Sequence, residues 1–257
     1  MSHLTVMTFN IRNSHDSPWA GRRELVSAAI ESVRPDAFGV QEAFVEQVEW
    51  LRQSLPDYEC FGEGREGGRQ GEYVAVFCDH RRFSLLAGGN LWLSETPAVP
   101  GKVGWDAECV RMATWTRLRR RSDGLEFALI NCHLDHRGAE ARMRSAELLW
   151  DLTLRVAGDA PAILMGDFNC IPGSEPYAFL TAPGRCADCW TEETGVGPAT
   201  WHGFAGPERE GARIDWILSR GFAVLGAERV LWNRDGAWPS DHFPVIARFA
   251  PSAAAQP

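Results

Sequence analysis

The distribution of apolar residues along the chain predicts many β-strands and a minority of helices. Nine apolar runs have the length of strands: 4–10, 36–41, 73–78, 83–93, 112–119, 126–133, 162–167, 213–218 and 243–249. Several of them, such as DAFGVQ at 36–41 and AILMGD at 162–167, are almost continuously apolar rather than alternating. Because such strands are covered on both faces, we expect two packed sheets with helices outside them.

Helical periodicity is clearest between residues 138 and 157, where Met143, Ala146 and Leu149 share an apolar stripe opposite several charges. Weaker helical patterns fit 21–33, 43–54 and 174–181. The first two of these are followed by prolines, which end helices. Three segments lack periodicity and are predicted to form loops around a site: 58–72, 94–111 and 183–212.

The chain shows no internal repeat, low-complexity block or linker that would divide it. One domain is therefore the simplest organisation for residues 1–250, and this length allows a sizeable core. Residues 251–257, PSAAAQP, have the composition of a disordered tail.

Polar side chains recur where apolar runs end. These positions are Asn10, Glu42, His133 with Asp135, Asp167 with Asn169, Asp215, and Asp241 with His242. All are residue types that bind metal ions, move protons or hold phosphate. Their repetition at six separate run ends predicts a catalytic site assembled at one edge of a sheet.

Glu42 is the first candidate metal ligand, because hard ions such as Mg²⁺ or Mn²⁺ take carboxylates together with water and substrate oxygens. Asn10 lies beside it and is a candidate metal ligand, a group that orients Glu42, or a hydrogen-bond donor to phosphate. The structural alternatives are a helix start for Glu42 and a turn for Asn10.

Asp167 and Asn169 lie two residues apart, so in extended chain both side chains point to the same side. An aspartate can hold a water while an asparagine amide donates to a phosphoryl oxygen, and the pair suits nucleophile activation with oxyanion stabilisation. An Asx turn that closes the strand is the alternative.

His242 needs an orienting carboxylate if it is to move protons. Asp241 cannot easily reach the same ring, because neighbours on an extended chain face opposite ways. We therefore expect Asp215 to pair with His242, which leaves Asp241 to serve the metal or to support the site. A surface turn after Pro239 is the alternative for this tripeptide.

The stretch from His133 to Arg137 also includes Asp135, and its histidine and arginine side chains could neutralise charge on a phosphate. His133 needs a carboxylate of its own, and Glu72 is a candidate for that partner. A zinc site is an alternative for HLDH, but neither cysteines nor an HExxH spacing supports it. Weaker candidates for substrate contact flank the loops: Arg111, Trp115, Trp92, Ser94 and His202.

Net charge is −8 and the chain has a single lysine, which disfavours a general nucleic-acid binder without excluding a nuclease. The basic run at 117–121 lies between two strands and is expected to be a solvated hairpin end. Seven scattered cysteines, including the lone CxxC of Cys186 and Cys189, are expected to be structural thiols rather than a redox pair or half a zinc site. No apolar run has the roughly 18 residues that a membrane span needs, and no leader is evident, so a cytoplasmic location is expected.

The ordered set TFNIR, QE, GEY, HLDH, GDFN, RIDWI and SDH resembles the endonuclease/exonuclease/phosphatase superfamily over nearly the whole chain. That superfamily includes pancreatic-type deoxyribonuclease, abasic-site endonucleases, deadenylases, inositol-phosphate 5-phosphatases and neutral sphingomyelinases. The segments NLWLSETP, RMATW, HLDHRG and WHGF are further similar to an uncharacterised, largely bacterial subgroup.

The resemblance implies a four-layer α/β sandwich, with two mixed β-sheets face to face and helices outside. It implies a metal near Glu42, Asn10 and Asp241, water positioned by Asp167, and phosphate held by Asn169. His242 paired with Asp215 would assist the attack, and a further histidine would contact the scissile phosphate. That group would be His133, backed by Glu72. The expected cofactor is Mg²⁺ or Mn²⁺.

The leading hypothesis is a metal-dependent phosphodiesterase or phosphatase that uses in-line water attack. Its expected substrate is a small molecule, a lipid head group or a short nucleic acid, with no obligate protein partner evident. The alternatives are a DNA or RNA nuclease, a non-catalytic binding protein of the same fold and, more remotely, a zinc amidohydrolase. Glu72, Arg111, Asp135, Arg137 and His202 are the candidate residues for substrate binding or support.

Overall fold

Two six-stranded β-sheets form the centre of the protein in a computed structural model, which describes residues 3–190 and 197–250. The strands are β1 (Leu4–Asn10), β2 (Ala37–Gln41), β3 (Tyr58–Phe61), β4 (Val76–Asp79), β5 (Phe83–Trp92), β6 (Met112–Arg120), β7 (Glu126–His133), β8 (Ala162–Asp167), β9 (Ala187–Asp188), β10 (Asp215–Arg220), β11 (Ala223–Arg229) and β12 (Val245–Ala250). The helices are α1 (Arg23–Val33), α2 (Val45–Ser54), α3 (Ala139–Ala157) and α4 (Glu175–Leu180).

Both sheets are mixed, with strand orders β11-β12-β1-β2-β4-β3 and β5-β6-β7-β8-β10-β9. Apolar residues from the inner faces, such as Val6, Phe249, Leu129 and Ile163, form one buried cluster between the sheets. A second cluster joins α1 and α2 to the outer face of the first sheet, and a third joins α3 and α4 to that of the second. This arrangement confirms the four-layer α/β sandwich.

Three strands were not predicted, and all three lie at or beside a sheet edge. β3 and β9 fall within predicted loops, and β11 follows directly after a predicted strand. β3 and β9 are short, and β11 alternates between exposed and half-buried residues, so none of the three has the continuous apolar run of a central strand. The predicted strand at 73–78 begins three residues later, at Val76, and the one at 213–218 begins two residues later, at Asp215. The predicted tail lies outside the described residues.

Strand registers bring the polar run ends to one edge of the sandwich. Asn10 at the end of β1 is level with Gln41 at the end of the parallel strand β2. In the second sheet, Asp167 at the end of β8 is level with both His133 and Asp215. The carboxyl ends of the parallel strands therefore meet, and β10 starts at the same edge.

Within the described residues, no helix is both long and apolar enough to cross a membrane.

Candidate active site

Asn10 connects the two sheets at the floor of the site. Its amide Nδ2 donates to Oε1 of Glu42 at 3.0 Å and to Oδ2 of Asp167 at 2.9 Å. Its Oδ1 accepts the backbone N–H of Arg12 at 3.1 Å. Asn10 is fully buried, so it orients both carboxylates.

Glu42 follows β2 in a left-handed conformation, with φ of 61°, which turns its carboxylate towards the end of β1. Asn13 donates to Oε2 of Glu42 from its backbone N and from Nδ2, at 3.1 and 3.0 Å. Burial raises the pKa of Glu42, but the charge of His242 and the Asn10 amide, among other groups, outweigh it and lower the pKa. Glu42 is therefore an ionised carboxylate.

Asp241 lies on the same side of the site as Glu42. The preceding Ser240 donates from Oγ to the backbone oxygen of Asn10 at 2.6 Å, which ties the Ser240–His242 tripeptide to the end of β1. Arg12 lies between the two carboxylates, 3.5 Å from Oε2 of Glu42 and 3.8 Å from Oδ2 of Asp241.

Asp167 and Asn169 both line the site. The chain is not extended there, because Asn169 has φ of 49°, and the alternative of an Asx turn that closes the strand is confirmed. The backbone N–H of Asn169 donates to Oδ1 of Asp167 at 2.9 Å, and Asn169 Nδ2 donates to the oxygen of Leu134. Gly166, which precedes them, has φ of 150° and approaches Cys132 so closely that a Cβ would lie 2.0 Å from its carbonyl oxygen. The glycine of GDFN is therefore required for the turn at the end of β8.

His242 pairs with Asp215, as expected: its Nδ1 lies 3.0 Å from Oδ2 of Asp215. Its other ring nitrogen lies 4.0 Å from Oδ2 of Asp167 and lines the cavity. Burial alone would lower the pKa of His242, but the charge and hydrogen bond of Asp215 raise it above its usual value. Burial and the charge of Asp215 raise the pKa of Asp167.

The prediction that Glu72 supports His133 is wrong. Glu72 pairs with Arg65 at 2.5 Å across a small hairpin, whereas His133 contacts Arg111, whose Nη1 lies 2.9 Å from Nε2 of the ring. Burial and the charges of Arg111 and Arg65 hold the pKa of His133 well below its usual value. His133 is therefore neutral, with Nε2 at 3.6 Å from Oδ2 of Asp167.

Asp135 is fully buried and supports the site from behind Arg111. Its Oδ1 accepts the backbone N–H groups of Arg137 and Gly138 at the start of α3, and its Oδ2 lies 3.5 Å from Nε of Arg111. Arg137 instead projects to the surface and pairs with Glu108. Arg111 lines the cavity, whereas Asp135 and Arg137 do not.

His202 is not a substrate-contacting residue, because its side chain is buried and stacks on Phe243 with ring centroids 3.8 Å apart. Its backbone N–H donates to the oxygen of Asp241 at 2.8 Å, so this segment fixes the position of the Ser240–His242 tripeptide. Trp92 has a comparable supporting role, because its Nε1 donates to the backbone oxygen of Arg65.

A cavity of 480 Å³ connects these groups. The residues that line it and that the sequence did not predict include Arg12, Asn13, Asp16, Arg65 and Trp201. Arg12, Asn13 and Asp16 follow the end of β1 within six residues, so the polar segment after the apolar run is the signal that marks them. The other two lie in aperiodic segments, where no local signal marks the side chains that turn inwards.

The donor set on the Glu42 side suits a hard divalent ion, because two carboxylates, Glu42 and Asp241, face the cavity. Asp167, Asp215 and His242 also bring ligand atoms within 4.8 Å of one another. A second such group joins Cys109, Asp135 and His136, but Arg111 contacts Asp135 and His136 there. That cation opposes a metal, so this second group serves to hold Arg111.

All seven cysteines, each within the described part of the chain, are free thiols, and Cys186 and Cys189 are buried. The basic run at 117–121 ends β6 and enters the turn to β7. Arg117 and Arg119 pair with Glu126, whereas Arg120 is buried and pairs with Asp123, so the expectation of a solvated hairpin end is wrong for Arg120.

Two of the solved structures similar to this chain come from Bacteroides species. An endonuclease/exonuclease/phosphatase from Bacteroides vulgatus is 33% identical, with a TM-score of 0.90 over 98% of this chain and 100% of that one. The mannosyl-6-phosphatase of Bacteroides thetaiotaomicron is 31% identical, with a TM-score of 0.87 over 96% of this chain and 99% of that one.

Nocturnin of Drosophila melanogaster is 28% identical over 179 residues, which are 63% of this chain but only 26% of that protein. The family model described as "Endonuclease/Exonuclease/phosphatase family" matches residues 7–242, from within β1 to the histidine of the Ser240–His242 tripeptide. The match spans both sheets and every element that carries the site, and on this ground the chain belongs to the endonuclease/exonuclease/phosphatase family.

Proposed function

We propose that this protein is a Mg²⁺- or Mn²⁺-dependent hydrolase of phosphate esters. The observation that carries the proposal is the convergence of two carboxylates, Glu42 and Asp241, with Asp167 and the Asp215–His242 pair around one cavity. Oxygen ligands, a buried carboxylate and an oriented imidazole are the groups that in-line attack of water on phosphorus requires.

Glu42 and Asp241 would hold the ion, with Asn10 orienting Glu42. When bound, the ion polarises the phosphoryl oxygens and offsets their charge. Asp167 lies between Asn10, His133 and His242, where it can hold the attacking water and accept its proton. His242, kept protonated by Asp215, and the amide of Asn169 would stabilise charge on the phosphoryl oxygens.

We infer that the preferred substrate is a phosphate monoester of a small, hydroxylated alcohol. Arg111 contacts His133 at the cavity wall and can neutralise the second charge of a monoester. The neighbouring Arg65 is already balanced by Glu72, so this flank offers paired donors and acceptors to hydroxyl groups rather than net charge to a second phosphate. The similar mannosyl-6-phosphatase acts on a substrate of this class.

The experiment is a phosphatase assay on purified protein with p-nitrophenyl phosphate, bis-p-nitrophenyl phosphate and mannose 6-phosphate. We expect turnover with Mg²⁺ or Mn²⁺, none after chelation, and monoesters preferred over the diester. Asp167→Ala should abolish turnover without unfolding the protein, while exposed Asp151→Ala serves as the control. Metal-independent turnover, or none with any divalent ion, would refute the proposal.

A nuclease is the second candidate, supported by the similarity to the Drosophila Nocturnin. Cleavage of plasmid, abasic duplex or RNA at rates above those for the monoesters would favour it. Full turnover by Asp167→Ala would show that the active site is assigned wrongly for both candidates. A non-catalytic binding protein of the same fold would show no turnover on any substrate.

A further inference from the structure

The guanidinium of Arg12 lies where the proposed metal ligands converge. Its Nη1 is 3.5 Å from Oε2 of Glu42, its Nε is 3.8 Å from Oδ2 of Asp241, and its Nη2 is 3.3 Å from Oδ2 of Asp16. Glu42 follows β2 and Asp241 precedes β12, so Arg12 contacts carboxylates from two separate loops. It neutralises the two groups that a divalent ion would use.

The backbone of Arg12 is fixed while its side chain is held loosely. Its N–H donates to Asn10 Oδ1, and its carbonyl oxygen accepts from Nε2 of Gln47 at 3.0 Å and from Nη2 of Arg22 at 2.9 Å. The three ion pairs of the guanidinium are instead longer than the roughly 2.8 Å of a charge-assisted hydrogen bond. The Arg12 side chain is 31% exposed and lines the cavity, so it can change partners without moving the chain.

The position of the Arg12 guanidinium should depend on whether a divalent ion or a phosphate ester is bound in the cavity. A guanidinium and a divalent ion that share the same carboxylates repel each other across a few ångströms. A phosphate ester in the cavity gives the guanidinium a new partner, because its fork of N–H groups matches phosphate oxygens.

We propose that Arg12 couples metal binding to phosphate binding. Without phosphate its guanidinium competes with the divalent ion for Glu42 and Asp241, and with phosphate that competition is relieved. This inference rests on the proposed function, since it assumes that the two carboxylates hold the ion. By linkage, the factor by which phosphate tightens metal binding equals the factor by which metal tightens phosphate binding.

The test measures Mn²⁺ affinity by electron paramagnetic resonance on chelator-treated protein, with and without inorganic phosphate. The variants are Arg12→Gln and, as the matched control, Arg65→Gln. Arg65 lines the same cavity and loses the same charge, but its carboxylate partners are Glu72 and Glu66 rather than Glu42 and Asp241. Arg12→Met supplies a second neutral variant in case Arg12→Gln does not fold.

In Arg12→Gln we expect Mn²⁺ to bind about tenfold tighter without phosphate, since one repulsive charge is removed at short range. Phosphate tightens Mn²⁺ binding by a certain factor in the wild type, and we expect that factor to be about tenfold smaller in Arg12→Gln. Arg65→Gln should change the Mn²⁺ affinity without phosphate by less than about twofold, because Arg65 pairs with Glu72 and Glu66 rather than with Glu42 or Asp241.

A second readout needs no turnover. The rise in melting temperature that Mn²⁺ produces without phosphate should be larger for Arg12→Gln than for the wild type, because tighter binding stabilises the folded state more. Two results would overturn this inference while leaving the proposed function intact. One is unchanged or weaker Mn²⁺ binding in Arg12→Gln, and the other is an equal effect of phosphate on Mn²⁺ affinity in Arg12→Gln and the wild type. Failure of the wild type to bind any divalent ion would overturn the proposed function as well.

Discussion

Two arginines near the end of β1 show how the surroundings of a single residue set its role. Arg22 is 7% exposed and donates to the carbonyl oxygens of Ile11 at 2.7 Å and Pro239 at 2.8 Å, which joins β1 to the Ser240–His242 tripeptide. Burial lowers its pKa to about 10. Arg12 carries the same group but makes only long ion pairs from a half-buried position. Arg22 is therefore structural, whereas Arg12 is free to respond to ligands.

Replacing Arg22 by glutamine should destabilise the fold by about 2–4 kcal/mol, because the buried carbonyl oxygens of Ile11 and Pro239 lose their donors. Urea unfolding followed by circular dichroism measures the change. The control is Arg144→Gln, which removes only exposed pairs on α3 and should change stability by less than about 0.5 kcal/mol. Equal effects of the two substitutions would contradict the structural role of Arg22.

Asp135 should contribute stability that depends on pH. Burial raises its pKa, but the N–H groups of Gly138 and Arg137 and the charge of Arg111 outweigh burial and lower the pKa to about 2. A depressed carboxyl pKa stabilises the folded state fully above the unfolded value of about 3.9, and this contribution is lost as pH falls towards 2.

Asp135→Asn should accordingly lower the free energy of unfolding by about 1–2 kcal/mol at pH 7. The difference from the wild type should shrink steadily between pH 4 and pH 2. Urea titrations over this pH range measure it, with Asp151→Asn on the exposed face of α3 as the control. A difference that stays constant with pH would show that hydrogen-bond geometry, not charge, accounts for the effect.

At the scale of elements, a buried polar network ties the two sheets together beneath the site. Gln41 at the end of β2 donates to Thr8 Oγ1 at 3.0 Å and to Asn131 Oδ1 at 2.6 Å, and Asn131 donates to the backbone oxygens of Val40 and Ala75. Asn131 belongs to β7, so the network crosses between the sheets. The network fixes the position of Gln41, and therefore that of Glu42, the next residue in the chain.

The absence of a side chain at Gly39 in β2 leaves room for the side chain of Asn131, because a Cβ at Gly39 would lie 2.5 Å from Asn131 Cγ. Gly39→Ala should destabilise the protein by roughly 1–3 kcal/mol through overpacking, and should weaken Mn²⁺ binding by displacing Glu42. Gly21→Ala is the matched control, since a Cβ at Gly21 meets nothing within 4 Å. Thermal unfolding and Mn²⁺ titration measure both variants, and a Gly39→Ala protein as stable as Gly21→Ala would contradict this account.

At the scale of the whole molecule, the candidate active site is a compact cavity at the strand ends of the sandwich. Its arginines are largely neutralised by nearby carboxylates, as Arg65 is by Glu72, and the net charge is −8. A long polyanion would gain little from counterion release on such a protein. A small phosphate monoester, in contrast, needs only the groups at the cavity wall.

Activity on a phosphate monoester should therefore depend weakly on salt. We expect kcat/KM to fall less than about threefold between 50 and 200 mM KCl, whereas a protein making 6–10 phosphate contacts would lose about 10³–10⁵ in affinity. Steady-state assays at constant Mn²⁺ over this range decide between the two. A steep loss would favour the nuclease candidate.

Most of the central architecture could be read from the sequence, because buried strands have an unmistakable composition. The predicted bounds of β1, β7 and β8 coincide with the observed strands. The pairing of His242 with Asp215 also followed from local geometry, since Asp241 and His242 face opposite ways on an extended chain. The edge strand β11, whose residues are exposed or half-buried, has too weak an apolar pattern to be predicted.

The order of residues along the chain therefore already specifies which residue types end the buried strands, and hence that carboxylates, amides and histidines meet at one edge. The partners that come from loops are defined only by how the folded chain packs. Glu72 pairs with Arg65 rather than His133 because a short hairpin places the two opposite each other, and Arg12 reaches Glu42 and Asp241 across strand ends far apart in sequence. Alternation along a strand is set by local backbone geometry, whereas the direction of a loop side chain depends on packing against distant segments.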